Sequence, residues 1–347
     1  MSEKMKVLAI TGKETTEVRE IDRPAPNSEQ VLIRIDGCAI CTWEQRVYAT
    51  GKFAMPFLGG HEVVGRIVEL GSRVDPKEFS SGDLVAVSMI HSCGSCYYCR
   101  KGEHNLCVRS YANMSEEYGM NGPGGFAQYK AAYPPKVWKL NPELPWENGI
   151  FAEPLGCVCK SIERANIGLG DDVVVVGGGV MGMLHMMVSR LKGARVILSE
   201  PDPVRRELAK TLGCDAVFSP KEEDPVAFVK GLTGGRGADV VFNTTAIPAV
   251  AAQAIEMTGK MGRCMMYSSM HPDSPIEISA NKIHDTETVI TGSVSPSISS
   301  FDTAVRLLNK GLINPSRLIS GVFSYDEAAK AFETAVRPDT YRVIIRF

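Results

Sequence analysis

The sequence predicts an α/β protein of two domains, a β-rich first part and a doubly wound parallel sheet after it. Three observations carry this reading. Up to residue 150, short apolar or alternating runs recur at 6–10, 31–36, 63–70, 84–88 and 126–132, with turn residues such as Pro24, Pro26, Gly71 and Gly82 between them. At 173–176 the pattern changes to a continuous β-branched run, as suits a strand buried on both faces, followed by glycines and an apolar helical stretch at 181–191. Further strand-like segments at 194–200, 238–244, 263–268 and 288–292 then alternate with helix-like ones at 204–212 and 247–257. From about residue 295 this repeat stops, and the β-like run at 341–347 is expected to pack back on the first domain. The expected domains are therefore 1–155, 156–294 and a returning segment, 295–347.

Composition narrows the functional class. A chain of 347 residues holds about two domains, and 44% hydrophobic with 22% charged residues is an ordinary globular balance. A net charge of −2 offers no electrostatic reason to expect nucleic acid or an anionic membrane as partner. The start, MSEKMKVLAI, has no apolar signal region, and no apolar run approaches the roughly 18 residues that a membrane span needs. Four of the ten cysteines are clustered too closely for unstrained bridges and suit metal thiolates better than disulfides. A reducing cytoplasm is the expected location.

That cluster is Cys93, Cys96, Cys99 and Cys107, spaced C-x2-C-x2-C-x7-C in a loop at about 91–108. Four thiolates fill a tetrahedral zinc site and leave no position open for chemistry, so the metal there is expected to be structural. His104 lies inside the loop and is an alternative to one thiolate. A second constellation, Cys41, His61, Glu62 and Glu153, offers the three or so ligands and the exchangeable position of a catalytic zinc. The other cysteines, Cys38, Cys157, Cys159, Cys214 and Cys264, fall in apolar patterns and read as small core residues. His185, among methionines on the helix after the glycines, reads as packed or subunit-facing.

The glycines form GGGVMG, in which Gly177, Gly179 and Gly182 occupy G-x-G-x-x-G around Val180 and Met181, directly after a strand and opening a helix. This arrangement allows a tight turn, close approach of a pyrophosphate and anion binding at a helix N-terminus. Glu200 follows 21 residues after Gly179 at the next strand end, where a carboxylate accepts ribose hydroxyls of NAD and repels the 2′-phosphate of NADP. Arg205 either lies along the adenosine or is a solvated helix arginine.

These motifs together resemble the zinc-containing medium-chain dehydrogenase/reductases, in the sorbitol (polyol) and threonine dehydrogenase-like branch. The resemblance covers the whole length. It rests on GCAIC at 37–41, GHEVVGRIVELGSRV at 60–74, GDLVAV at 82–87, the four-cysteine loop, GGFAQY ending at Tyr129, AEPLGC at 152–157, GGGVMG and TVITGS at 288–293. It implies a GroES-like catalytic domain, a Rossmann domain binding NAD(H), two zinc ions per chain and a homodimer or homotetramer. By similarity, Cys41, His61, Glu62 and Glu153 surround the catalytic zinc, with Glu62 or Glu153 exchanging for water.

The chain departs from the family beside that zinc. Family members read C-G-[ST]-D, and the hydroxyl begins a proton relay; here Cys41-Thr42-Trp43-Glu44 places Trp43 at the hydroxyl position and Arg46 where a histidine often stands. An indole N–H is a donor only and passes no proton between oxygens. Either Thr42 takes the role, or water with Glu62 or Glu44 carries the proton. The expected activity is NAD(H)- and zinc-dependent interconversion of a secondary alcohol, a polyol or related compound, and its ketone. Its alternatives are a dehydrogenase for an anionic hydroxy substrate held by Arg46, such as a sugar acid, sugar phosphate or amino alcohol, and a zinc-bearing regulatory or nucleic-acid-binding protein.

Overall fold

The structure, a computed structural model, describes residues 3–110 and 118–347. The chain divides into two compact units, Met1–Gly156 with Pro296–Phe347, and Cys157–Ser295. Among the described residues, no helix is long and apolar enough to cross a membrane.

The first unit is built on strands. β1 (Lys4–Gly12) and β2 (Thr15–Asp22) form an antiparallel pair. β3 (Val31–Ile40) leads into helix α1 (Thr42–Thr50), and β4 (Glu62–Leu70) pairs antiparallel with β3 and with β5 (Leu84–Ser88). The short helix α2 (Tyr97–Arg100) lies in the cysteine loop. β6 (Tyr129–Ala132) pairs with β3, β7 (Val137–Lys139) pairs with β5, and α3 (Trp146–Gly149) precedes α4 (Ala152–Ala165), which spans the division between units.

The second unit alternates strand and helix: β8 (Asp172–Val176), α5 (Val180–Leu191), β9 (Arg195–Ser199), α6 (Pro203–Thr211), β10 (Ala216–Phe218), α7 (Pro225–Leu232), β11 (Ala238–Asn243), α8 (Pro248–Met257), β12 (Thr258–Met266), α9 (Ala280–Thr286) and β13 (Val289–Gly292). Its sheet has the order β10-β9-β8-β11-β12-β13, all parallel, with the first strand central and the order reversing beside it. That is the doubly wound dinucleotide-binding arrangement, whose switch point lies at the carboxyl end of β8. All five residues of β8 are buried, as a strand covered on both faces requires.

The last segment contains α10 (Ile298–Asn309), β14 (Ile319–Ser324), α11 (Ala328–Ala335) and β15 (Arg342–Arg346). It joins the first unit's sheet, in the order β14-β15-β3-β4-β5-β7: β15 is parallel to β14 and antiparallel to β3. Its side chains also enter the first unit's core. Phe332, Val343 and Ile345 are fully buried with Val7, Ile33, Ile35, Val63 and Phe126. Phe332 stacks on Tyr48 at 4.8 Å and meets Phe126 edge-on at 6.0 Å. Truncating such a phenylalanine to alanine costs about 3–5 kcal/mol, so the last segment is integral to the unit it rejoins.

His185 is a buried member of α5, not a surface residue. Its Nδ1–H donates to the Met181 carbonyl at 2.7 Å, which leaves Nε2 to accept from the Ser161 hydroxyl at 3.0 Å, and its ring touches Phe242 and Tyr267. Burial lowers its pKa to about 4. A folded pKa below the unfolded one means that the unfolded chain binds the proton first. The associated stability is complete above the ordinary histidine range and is lost as pH falls toward 4. Between about pH 7 and pH 5, the unfolding free energy of the wild type is expected to drop about 2 kcal/mol more than that of His185→Leu, measured by urea denaturation. Parallel pH profiles for the two proteins would contradict this.

Candidate metal centres and nucleotide loop

The four-cysteine loop folds so that all four sulfurs lie within 4.8 Å of one another. A tetrahedral zinc with ~2.3 Å bonds spaces its sulfurs by about 3.8 Å, so the donor set fits that ion. Backbone amides face the sulfurs: Cys96 N–H donates to Cys93 Sγ at 3.4 Å, and Cys93 N–H and Arg109 N–H donate to Cys107 Sγ at 3.3 and 3.4 Å. The Ser95 amide and hydroxyl, with the Cys96 amide, bring the Cys93 thiol down to about 5, so it is supplied as a thiolate. His104 is not one of the converging donors, and its Nδ1–H donates to the Gly102 carbonyl at 3.0 Å.

The second donor set joins three elements. Cys41 follows β3 and sits at the N-terminus of α1, where it caps nothing with its side chain. His61 and Glu62 open β4 after Gly59-Gly60. Gly60 has φ 90°, and a Cβ there would stand 2.6 Å from the Phe126 amide nitrogen and 2.8 Å from Cys38 Sγ. Only glycine lets the chain turn here and bring His61 inward. The ligand atoms of Cys41, His61 and Glu62 lie within 4.8 Å of one another. The Glu153 carboxylate, in the first turn of α4, is not one of these three converging donors, although its charge acts on Glu62 and on Arg342.

Two further residues complete the surroundings. Glu44, fully buried, accepts from the Gly60 amide at 3.0 Å and from His61 Nδ1–H at 2.8 Å with the same oxygen. This bond fixes the ring's orientation and makes Nε2 the nitrogen that would ligate a metal, the usual support of a metal-binding histidine. Burial works against charge on both, but His61 holds Glu44 below the usual carboxylate range, and Glu44 with Cys41 keeps the His61 ring well above its ordinary value. Arg342 of β15 is the residue that sequence reading missed. Only 4% exposed, it places Nη2 2.8 Å from Glu62 Oε1 and donates from Nη1 to the Ile40 carbonyl at 3.5 Å. Burial pushes the Glu62 carboxyl up to about 7 against the pull of Arg342. An arginine 280 positions from its partner has no local pattern to betray it; its only signal is its place in a β-like terminal run.

Trp43 packs against Phe57 at 5.3 Å, Phe53 at 5.9 Å and His61 at 5.8 Å. It is an aromatic wall of the donor cluster. Thr42 is exposed at the start of α1, and Arg46 is half-buried on the same helix, its side chain without a hydrogen bond or ion pair to any described residue.

In the second unit the glycine loop follows β8. Gly177 has φ 98°, and a Cβ on Gly182 would collide with the Gly177 carbonyl oxygen. Gly179 is the N-cap of α5 and offers no side chain to its first amides, which remain available to an anion. Val180 and Met181 form the first turn and are half-buried. Glu200, at the end of β9, accepts from the Gly178 amide at 2.6 Å and from the Asp202 amide at 2.8 Å. Arg205 of α6 reaches to 4.0 Å from where a Gly179 Cβ would lie. All these residues therefore gather at the carboxyl end of β8 and β9.

Comparison with known proteins agrees with this geometry. Residues 27–142 match the alcohol dehydrogenase GroES-like domain, and residues 180–310 match the zinc-binding dehydrogenase family. The chain is 32% identical over 352 residues to an L-threonine 3-dehydrogenase of Pyrococcus abyssi, covering 99% of each, and 31% identical to a sorbitol dehydrogenase of Halalkalibacterium halodurans, covering 94% of each. A zinc-binding dehydrogenase of Sinorhizobium meliloti, solved with NADP, superposes over 100% of both chains with a TM-score of 0.90 at 27% identity. By fold, motifs and full-length similarity, this chain belongs to the zinc-containing medium-chain dehydrogenase/reductase family, in its sorbitol and threonine dehydrogenase-like branch.

Proposed function

We propose that the chain is a zinc- and NAD(H)-dependent dehydrogenase that interconverts a secondary alcohol of the polyol class and its ketone. The observation that carries this is the convergence of Cys41, His61 and Glu62 in one unit, with a glycine loop and Glu200 assembled in the other. When bound, zinc supplies Lewis acidity toward the substrate oxygen and the nicotinamide accepts or returns the hydride. Cys41 and His61 hold the metal, and Glu44 orients His61. Glu62 or Glu153 is the exchanging acid; Arg342 beside Glu62 gives it an alternative partner when it is displaced. Trp43 removes the hydroxyl at the usual relay position, and Glu44 Oε1 is committed to His61. Glu62 Oε2 and Glu44 Oε2 both accept no hydrogen bond from any described residue, and of the two acids we assign the proton to Glu62, because it is one of the three converging donors.

The four-cysteine loop holds a structural zinc. The enzyme works in the cytoplasm as a homodimer or homotetramer; β13 is an edge strand with Val289 half exposed, and such an edge is a natural pairing surface. Its substrate is a small molecule rather than a nucleic acid or a membrane.

The direct test is NAD+ reduction, followed by NADH absorbance across a panel of polyols and diols, with metal content per chain. Turnover of a polyol with about two zinc ions per chain is expected; absence of turnover in the zinc-loaded protein, across the panel and with anionic hydroxy compounds, would sink the dehydrogenase reading.

Two variants test the parts. Cys99→Ser should lower the melting temperature by about 5 °C or more while the folded remainder keeps a near-normal KM; lost turnover at unchanged stability and assembly would argue against a structural role. The Sinorhizobium protein was solved with NADP, but Glu200 here sets a carboxylate at the strand end. We expect kcat/KM to favour NAD over NADP by at least about a hundredfold, and Glu200→Ser to erase most of that preference.

A second reading rests on Arg46, a guanidinium that no described residue neutralises. If it grips an anionic hydroxy substrate, Arg46→Ala should raise KM for that substrate roughly ten- to a hundredfold with little change in NAD binding. Equal turnover of neutral polyols by both forms, and no anionic substrate, would leave the polyol reading alone.

A further inference from the structure

Away from both metal sites, the first unit has a cavity of about 470 Å³ lined by Arg34, Arg66 and Arg346, with Asp36, Tyr129 and Trp146 among its other walls. We propose that it is a binding site for a small organic dianion with a flat apolar body, an aryl phosphate ester or an aromatic dicarboxylate.

Strand register creates the site. Arg34 of β3 stands directly opposite Arg66 of β4, and β15 runs on the other side of β3 with Arg346 opposite Gly37. Like charges directly opposed across strands, as Arg34 and Arg66 are, are destabilising; Arg66 is half-buried, and Arg34 and Arg346 are exposed. The single acid between them is a poor neutraliser. Asp36 is 3.5 Å from Arg34 Nη2 and 3.4 Å from Arg66 Nε, longer than the roughly 2.7–2.9 Å of a good charge-assisted hydrogen bond. Burial raises its carboxyl above the ordinary range even beside Arg66 and Arg34, and Glu147 adds repulsion from outside the cavity wall.

Arg346 has no side-chain hydrogen bond or ion pair with any described residue. Three guanidinia outnumber the one lining side-chain carboxylate, so the wall is rich in positive charge, which a group able to accept from more than one guanidinium matches. The cavity volume lies within the range of small-molecule sites. The apolar component follows from Trp146, whose ring lies against the Gly37 backbone so closely that a Cβ there would overlap it, and from Phe347, stacked on Tyr325 with rings 5.8 Å apart. Guanidinium forks bind phosphate and carboxylate bidentately, and an indole beside them favours a ring over a free ion.

The test is calorimetric titration of the full chain with phenyl phosphate, phthalate and inorganic phosphate at constant ionic strength. One aromatic dianion per chain should bind, with inorganic phosphate at least about tenfold weaker. Arg346→Gln and Arg34→Gln should each weaken binding at least about tenfold, and Trp146→Leu should weaken only the aromatic probes. Whichever of phenyl phosphate and phthalate binds tighter identifies the acid group. Arg346 has no partner to lose, so its variant should keep the wild-type melting temperature in buffer but lose the rise caused by phenyl phosphate. No saturable binding of any probe at about 10 mM, or binding unchanged in both arginine variants, would overturn the proposal.

Discussion

The buried pair between Glu62 and Arg342 ties this molecule's chain order to its chemistry. Both side chains are almost wholly removed from water, and each would be costly to bury alone; losing one partner of such a pair typically costs about 3–5 kcal/mol. Arg342 arrives on β15, and β15 has a place only between β14 and β3. The donor cluster of the first unit is therefore complete only when the last fifty residues have returned to it. The same return delivers Phe332, Val343 and Ile345 to the core. The two contributions differ in kind. Apolar burial makes the return favourable, whereas the ion pair makes it specific, since a slip of one residue would turn Arg342 to the opposite face of the sheet.

The two donor clusters differ in how the scaffold holds them, in keeping with the structural and catalytic roles proposed for them. The four cysteines sit on a loop with one short helix, where the metal itself would supply the order that secondary structure does not. The other donors sit on the ends of β3 and β4, held by the Gly60 turn and by the Glu44–His61 bond. Under the proposed role, in which one ligand exchanges, such a site cannot rely on the metal for its geometry, and its support lies in the protein. Trp43 belongs to this support through its ring contacts with Phe53, Phe57 and His61.

Much of this was legible in the sequence because it is local. The β-branched run of β8 and the glycines after it define the nucleotide unit within ten residues, and the cysteine spacing defines its loop within fifteen. What was not legible lacked a local signal. β2, TTEVREID, has no buried residue and hence no apolar face to read; β7 and β10 have three residues each and exist as strands through their partners. Arg342 and the opposed Arg34 and Arg66 acquire meaning only through register. Glu44 was noticed as a possible proton carrier, but only the fold shows its oxygen committed to His61 and Gly60, a positioning task.

Glu200 shows how one side chain can serve both structure and selectivity. Its carboxylate accepts one amide hydrogen bond from Gly178 in the glycine loop and one from Asp202 at the start of the next helix. The two bonds join the turns after β8 and β9, so the loop is held before any nucleotide arrives, and the ordering entropy is not charged to binding. They also anchor the carboxylate where the second sugar hydroxyl of a dinucleotide is expected by its place at the strand end. A flexible acid could swing away from a 2′-phosphate; one fixed by two backbone amides cannot. The preference for NAD proposed above would thus depend on the same hydrogen bonds that shape the loop.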